Sequence, residues 1–231
     1  MSTADTPVII ALDACTEACS VALTTGGNVF SRHAVIPRGH ARELLPMLDG
    51  LLAEAGVSRD AIGLVAYGRG PGAFTGVRIS VAVAQGLARG LGCPVIGVSS
   101  LQAVADVAGR DAGPHRVAVA IDARMGEVYW GLYERLEANQ PLKLRDEEAV
   151  LPPAAVTLPT GWTEWQAAGT GWAVHSQALL AALGTAPARI LDQALPDARC
   201  LLPHAVAAWR NGTLENAASA RPVYLRDNVT G

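Results

Sequence analysis

A short polar segment that follows an apolar run is the first place where this chain could carry out chemistry. Asp13 comes directly after the run Val8–Leu12, and the hydroxyl groups of Thr16 and Ser20 follow it closely. A carboxylate after a buried strand, next to hydroxyl groups in a turn, can meet a phosphate group and its Mg²⁺. The same carboxylate can instead accept hydrogen bonds from the amides of its own turn. A single aspartate favours the second interpretation.

The second candidate is a glycine-rich turn, Gly68-Arg69-Gly70-Pro71-Gly72, which precedes an expected helix. Glycines let a backbone approach a phosphate closely, and the N-terminus of a helix favours an anion. The turn matches neither GxxxxGK[ST] nor GxGxxG. A structural turn is therefore at least as good an interpretation as a phosphate-binding one.

Other combinations of catalytic residues are poorly represented. No histidine lies at HxxxH or HExxH spacing from another, and no GxSxG nucleophile elbow is present. Ser99 and Ser100 are better placed to cap a helix than to act as nucleophiles. The cysteines form no CxxC pair, which predicts buried apolar thiols rather than a metal or redox site. These four residues are Cys15, Cys19, Cys93 and Cys200.

The elements that must position the candidate residues occur twice in the chain. The segment VIIALDA, which ends with Asp13 and Ala14, is followed by VAVAIDA, which contains Asp122. In both copies a strand ends at an aspartate, and a second strand follows after a short turn. The repeat predicts two similar lobes, residues 1–108 and 109–231, with a break near residues 109–115.

The helix after the glycine turn has an unusual composition. The spacing predicts it over Val77–Leu91, with Thr75 as its N-cap. Small apolar residues surround most of its axis, so several of its faces should be buried. The helix is either enclosed in its own domain or packs on its own sheet and also on a partner, and the residues alone leave both alternatives open.

Composition excludes several classes of protein. Half of the 231 residues are apolar and 17% are charged, which excludes a disordered chain. The most apolar stretch, Gly90–Ala105, is interrupted by polar residues, Gly and Pro, so no membrane span is expected. The net charge is −3 without a basic run, which disfavours a protein that binds nucleic acid by itself. The N-terminus lacks the pattern of a signal peptide, and we expect a cytoplasmic protein.

Several of these segments closely resemble the TsaB family, formerly called YeaZ. The matching segments run in order along the chain: ALDACTEACSVAL (Ala11–Leu23), GRGPGAFTGVRISVAVAQGLA (Gly68–Ala88), PVIGVSSLQA (Pro94–Ala103), AIDARMGEVYWGLYE (Ala120–Glu134) and RPVYLRDNV (Arg221–Val229).

The resemblance implies an α/β protein with the actin-like fold of the Hsp70/sugar-kinase ATPase superfamily, built from two ribonuclease-H-like lobes. It also implies a role in forming threonylcarbamoyladenosine beside the anticodon of tRNAs that read codons beginning with A. In that pathway TsaC makes threonylcarbamoyl-adenylate, TsaD transfers the group to tRNA, TsaB is a non-catalytic paralogue that TsaD requires, and TsaE is an ATPase that joins them.

Two positions indicate which paralogue the chain resembles. In TsaD the segment after the same turn and helix carries two metal-binding histidines spaced HxxxH, whereas this chain has Ser100 and Val104 there. Neither side chain replaces imidazole as a ligand. The resemblance therefore implies no metal, no cofactor and no transfer chemistry in this chain. The turn residues would then be a vestige of a nucleotide site, namely Asp13, Thr16, Gly70 and Gly72.

The resemblance also implies partners. They are TsaD as a heterodimer, TsaE, a second copy of the chain when TsaD is absent, and tRNA only through the complex. We expect the partner face on the helix of the first lobe, at Val77, Val81, Ala84, Gln85 and Ala88. The alternatives are a weak ATPase that uses Asp13 and the glycine turn, and, last, a glycoprotease-like peptidase, for which no catalytic motif is present.

Overall fold

The computed structural model describes residues 6–110, 116–135 and 141–226, and these form two compact units. The first unit contains the chain up to Ser100 and also Pro196–Val223, and the second contains Leu101–Leu195 and the residues from Tyr224 onward. This division differs from the expected lobes 1–108 and 109–231, because a late segment returns to the first unit. The break expected near residues 109–115 lies mostly outside the described residues.

The sheet of the first unit has five strands in the order β3-β2-β1-β4-β5. Their bounds are β1 Val8–Asp13, β2 Ala18–Thr25, β3 Asn28–Val35, β4 Ile62–Gly68 and β5 Val95–Val98. The first three strands form an antiparallel meander, and β4 and β5 continue the sheet in parallel with β1. The central strand β1 is therefore bonded on both sides, which agrees with its continuous apolar sequence.

The sheet of the second unit repeats this arrangement. Its strands are β6 Arg116–Arg124, β7 Glu127–Glu134, β8 Lys143–Leu144, β9 Ala149–Leu151, β10 Gln166–Ala168 and β11 Arg189–Leu191. Taken from the opposite end, the order β8-β7-β6-β10-β11 corresponds to β3-β2-β1-β4-β5 of the first sheet. The central strand β6, like β1, pairs antiparallel with the next strand of the chain, β7, and parallel with a later one, β10. The predicted duplicated α/β architecture is thus confirmed.

The described part of the chain forms five α-helices beside the sheets. They are α1 His40–Ala55, α2 Phe74–Leu91, α3 Ser100–Ala108, α4 Gly171–Leu183 and α5 Leu201–Asn211. One local expectation was wrong, because the N-cap of α2 is Ala73 rather than Thr75. None of the described helices combines the length and apolar character needed to cross a lipid bilayer.

The first sheet is covered on both faces. Ile10, Leu12 and Tyr67 belong to a buried cluster with residues of α1 and α2. Ile9 and its alternate neighbours on β1 point to the opposite face and are also buried, and α5 packs against β1 and β4. The segment Pro196–Val223 belongs to the first unit because it contains α5, which covers this second face of the sheet. No local sequence pattern predicts this long-range packing.

The start of α2 lies unusually close to the turn after β1. A side chain at Gly76 would place its Cβ 2.1 Å from the carbonyl oxygen of Ala14. At Gly86, on the same helix, no described atom outside the helix backbone and the neighbouring residues lies within 4 Å of the equivalent position. The two glycines therefore have different roles, although both lie inside one helix.

This difference predicts opposite effects of the same substitution. Gly76→Ala should markedly lower the free energy of unfolding, because backbone must move to admit the methyl group. Gly86→Ala should raise it by up to about 1 kcal/mol, since alanine favours the helix and meets nothing. Urea unfolding of the isolated chain measures both, and equal stability of the two variants would contradict the described packing.

Candidate functional site

Asp13 ends β1 in the interior of the first unit. The side chain is fully buried, and its Oδ1 accepts a hydrogen bond from the backbone N–H of Cys15 at 2.9 Å. Its Oδ2 has no hydrogen-bond partner among the residues that the structure describes. A Cβ on Gly68, at the end of the neighbouring strand β4, would lie 1.8 Å from this Oδ2. The glycine therefore makes room for the carboxylate.

The glycine turn packs directly on the turn that follows Asp13. A Cβ at Gly72 would lie 2.1 Å from the carbonyl oxygen of Cys15. The same oxygen accepts the backbone N–H of Ala73, the N-cap residue of α2, at 2.7 Å. The N-cap amide of α2, which an anion at this helix end could otherwise bind, is thus hydrogen-bonded within the chain.

The remaining turn residues are also engaged within the chain. The hydroxyl oxygen of Thr16 accepts the backbone N–H of Ala18 at 3.3 Å. Gly70 has a φ of +92°, and its carbonyl accepts the backbone N–H of Ser100 at 3.0 Å. The structure thus brings the predicted vestigial site together, at Asp13, Thr16, Gly70 and Gly72, as a closed packing contact.

Burial shifts the ionisable groups of this turn towards their neutral forms. Burial raises the pKa of the Asp13 carboxyl to about 7, and the charge of Asp197 adds to the rise. Burial also raises the pKa of the Cys15 thiol well above its ordinary value, with a further contribution from Asp13. That thiol donates a hydrogen bond to the Gly68 carbonyl at 3.3 Å. A protonated and enclosed thiol is a poor nucleophile and a poor metal ligand.

The cysteines agree with the prediction of buried thiols. All four are free; Cys15, Cys19 and Cys200 are buried, and Cys93 is half-buried. No group of three or more His, Cys, Asp or Glu side chains within residues 6–110, 116–135 and 141–226 is placed to hold a metal ion.

The two positions that correspond to the expected HxxxH ligands lie on α3. Ser100 is its first residue, and Val104 is one turn later. Ser100 is fully buried, and Val104 belongs to an apolar cluster of the second unit. A serine hydroxyl and a valine side chain at this spacing offer no imidazole ligand.

The second unit contains a turn that matches that of Asp13. Asp122, near the end of β6, accepts the backbone N–H of Arg124 through its Oδ1 at 3.0 Å. Asp13 accepts the amide two residues ahead in the same way. The two aspartates that revealed the repeat therefore close equivalent turns, which is the structural role weighed against phosphate binding. Asp122 also forms an ion pair with Arg124 at 3.0 Å.

The residues predicted for the partner face of α2 lie on its inner face. Val77, Val81, Ala84 and Ala88 are buried, and the last three belong to the core of the first unit. Gln85 is half-buried and donates a hydrogen bond from Nε2 to the Ala220 carbonyl at 2.8 Å. This assignment needs correction, because an apolar stripe marks the helix face that meets the sheet. A charge placed at Val81 would enter the chain's own core.

The outer face of α2 consists of residues that sequence reasoning did not select. Ala82, Gly86 and Gly90 are exposed and spaced four residues apart. Apart from the backbone of the helix itself and the adjacent residues, no heavy atom of the described residues lies within 4 Å of a Cβ built at Gly86 or Gly90. Arg78 and Arg89 are exposed beside them. The signal that could have identified this face is the presence of two helix-weakening glycines opposite the buried stripe.

The pKa of Asp13 predicts how stability depends on pH. The carboxyl ionises near pH 4 in the unfolded chain but only near pH 7 in the folded one. The free energy of unfolding is therefore highest below pH 4 with respect to this group, and falls by about 1.4 kcal/mol per pH unit as the pH rises to 7. Asp13→Asn keeps the shape and does not ionise, so it should become progressively more stable than the wild type. Urea unfolding of both chains between about pH 4 and 8 measures this, and a constant difference would contradict it.

The chain is similar in sequence to proteins of a known family. The family model described as "TsaD: tRNA N6-adenosine threonylcarbamoyltransferase" matches residues 33–230. The tRNA threonylcarbamoyladenosine biosynthesis protein TsaB of Escherichia coli K12 is 44% identical over 226 residues, which cover 96% of this chain and 95% of that protein. TsaB of Haemophilus influenzae is 36% identical over 229 residues, which cover 96% of this chain and 94% of that protein.

A solved structure gives the same result. YeaZ from Pseudomonas aeruginosa superposes with a TM-score of 0.89 at 47% identity, and the match covers 95% of this chain and all of that chain. The family suggested by the sequence segments is thus confirmed along nearly the whole chain. The chain belongs to the family that the TsaD model describes and, within it, to the TsaB (YeaZ) proteins.

Proposed function

We propose that this chain is a non-catalytic subunit in the formation of threonylcarbamoyladenosine on tRNA, and that it binds and positions TsaD. TsaE joins the resulting complex, tRNA is held through the complex, and the work is done in the cytoplasm. Membership of the TsaB family supports the pathway, because the relatives are named for tRNA threonylcarbamoyladenosine biosynthesis. The outer surface of the first unit supports the docking role.

The observation that carries the proposal is the outer face of α2. Each of Gly86 and Gly90 costs about 0.8–1 kcal/mol of helix stability relative to alanine. The space around both glycines shows that the fold of this chain does not require them. With Ala82 they form a small, flat face on which the backbone of a partner helix can approach closely. Such a face explains why the helix is built from small residues on both sides.

Larger side chains border this face at its N-terminal end. Phe74 is exposed, and the Arg78 guanidinium lies 3.3 Å from the centre of its ring. Aromatic and arginine side chains are the residues that most often dominate binding energy at protein interfaces. We infer that the pair anchors TsaD beside the small-residue face. A second copy of the chain would occupy the same face when TsaD is absent.

The interior of the first unit supports a non-catalytic role. The turn after Asp13 and the glycine turn are packed together, and the N-cap amide of α2 is bonded to Cys15. Ser100 and Val104 supply no imidazole where the resemblance places the metal ligands of TsaD. A weak ATPase would need this turn to open, and a peptidase would need a nucleophile other than the enclosed Cys15 thiol.

Enlarging the outer face of α2 tests the docking role. Gly86→Gln should stabilise the isolated chain slightly, because glutamine favours a helix. It should weaken the complex with TsaD by tenfold or more, because the side chain separates the two helices. Binding is measured by titration calorimetry with TsaD from the same organism, and stability by urea unfolding.

A matched control separates docking from a general surface effect. Ala181→Gln places the same side chain at an exposed position of α4 in the second unit, and it should leave TsaD binding unchanged. Wild-type affinity of the Gly86→Gln chain for TsaD would exclude the outer face of α2 as the contact surface.

A further inference from the structure

A second surface of the first unit is a free strand edge. In the order β3-β2-β1-β4-β5, β3 is an outer strand, and among the described residues only β2 pairs with it. The ladder continues past the strand, where the Ile36 N–H donates to the Glu17 carbonyl at 3.0 Å. Because backbone direction alternates along a strand, the even-numbered residues of β3 bond to β2. The odd-numbered residues therefore direct their N–H and C=O groups to the open edge.

The side chains along this edge are arranged symmetrically about Arg32. Val29 and Val35 are each 56% exposed, and each lies three residues from it. Antiparallel pairing with the same strand of another copy, centred on Arg32, places Val29 opposite Val35 at both ends. It also places Ser31 opposite His33. All four are odd-numbered, so this register uses every free backbone group of the edge between the two valines.

A groove beside the edge adds complementary shape. A cavity of about 770 Å³ lies between the C-terminal half of β3, the loop that follows it and α1. Its lining includes Ser31–Ala34 of the edge strand and Arg42, Glu43 and Met47 of α1, together with Ile36, Pro37 and Gly39 of the loop. In the register centred on Arg32, Phe30 of a second copy comes opposite Ala34, where a small side chain leaves space.

The charges at the centre are compensated. Arg32 forms an ion pair with Glu54 of α1 at 3.2 Å. Gly50 of the same helix makes room for the guanidinium, since a Cβ there would lie 1.8 Å from its Nη1. Each arginine thus brings its own carboxylate, and two copies meet with two positive and two negative charges rather than with bare arginines.

We propose that β3 pairs antiparallel with β3 of a second copy of this chain, in the register centred on Arg32, and joins two five-stranded sheets into one. A contact between two eight-residue strands is small compared with the roughly 1,200–2,000 Å² that stable interfaces bury. The dimer is therefore weak and depends on concentration. The proposal rests on strand geometry and is independent of the function of α2.

Cysteine crosslinking tests the register. In the proposed pair the two Arg32 Cα atoms lie about 4.5 Å apart, which suits a disulfide. Arg32→Cys, in a Cys93→Ser background, should form a covalent dimer under mild copper–phenanthroline oxidation. The control Ala34→Cys should not, because its two copies are separated by at least four residues, about 13 Å. Equal crosslinking of the two variants, or none in either, would overturn the proposal.

Sedimentation equilibrium tests the contact without crosslinks. The measurement uses the Gly86→Gln chain, so that association through α2 does not contribute. His33→Pro removes an outward N–H without costing a bond to β2, and Val35→Lys replaces an exposed valine. Each change should reduce self-association at least tenfold and leave the unfolding transition cooperative. A strictly monomeric parent chain, or unchanged association in both variants, would show that β3 does not pair.

Discussion

The first unit depends on direct backbone contact between two turns. The carbonyl oxygens of Ala14 and Cys15 lie where side chains would be at Gly76 and Gly72, and the Ala73 amide is bonded to the second of them. This contact fixes the start of α2 against β1, and it therefore determines which face of that helix is buried and which is exposed. The docking role proposed for the exposed face depends on this packing arrangement.

The duplicated topology gives this arrangement its context. In both units the central strand leads to an aspartate that accepts the amide two residues ahead, so the repeated residue has a repeated structural task. Burial differs between the copies, since Asp13 is fully buried, whereas Asp122 is partly exposed and forms an ion pair with Arg124. The raised pKa of Asp13 follows from its burial, and it makes the stability of the first unit depend on pH.

Much of the fold could be predicted from the sequence. Apolar runs with terminal aspartates predicted the two lobes, and helical spacing located α2 nearly at its observed bounds. The repeat could not show that Pro196–Val223 returns to cover the first sheet, because that depends on contacts between distant segments. Periodicity identified the apolar stripe of α2 with Val81 and Ala84, but it placed the partner on that stripe. An apolar stripe shows only which face of a helix is buried in its own unit. The exposed glycines are the sequence feature that distinguishes the opposite face of α2.

The central claim is that the chain acts by binding TsaD and carries out no chemistry itself. Its most direct test is threonylcarbamoyl transfer to tRNA in a reaction reconstituted from purified TsaC, TsaD and TsaE, with this chain titrated into a fixed amount of TsaD. The account predicts that transfer rises with the fraction of TsaD that is bound and reaches a plateau, and that the chain without TsaD transfers nothing. Transfer by this chain and TsaC in the absence of TsaD, or transfer that is independent of the amount of this chain, would contradict it.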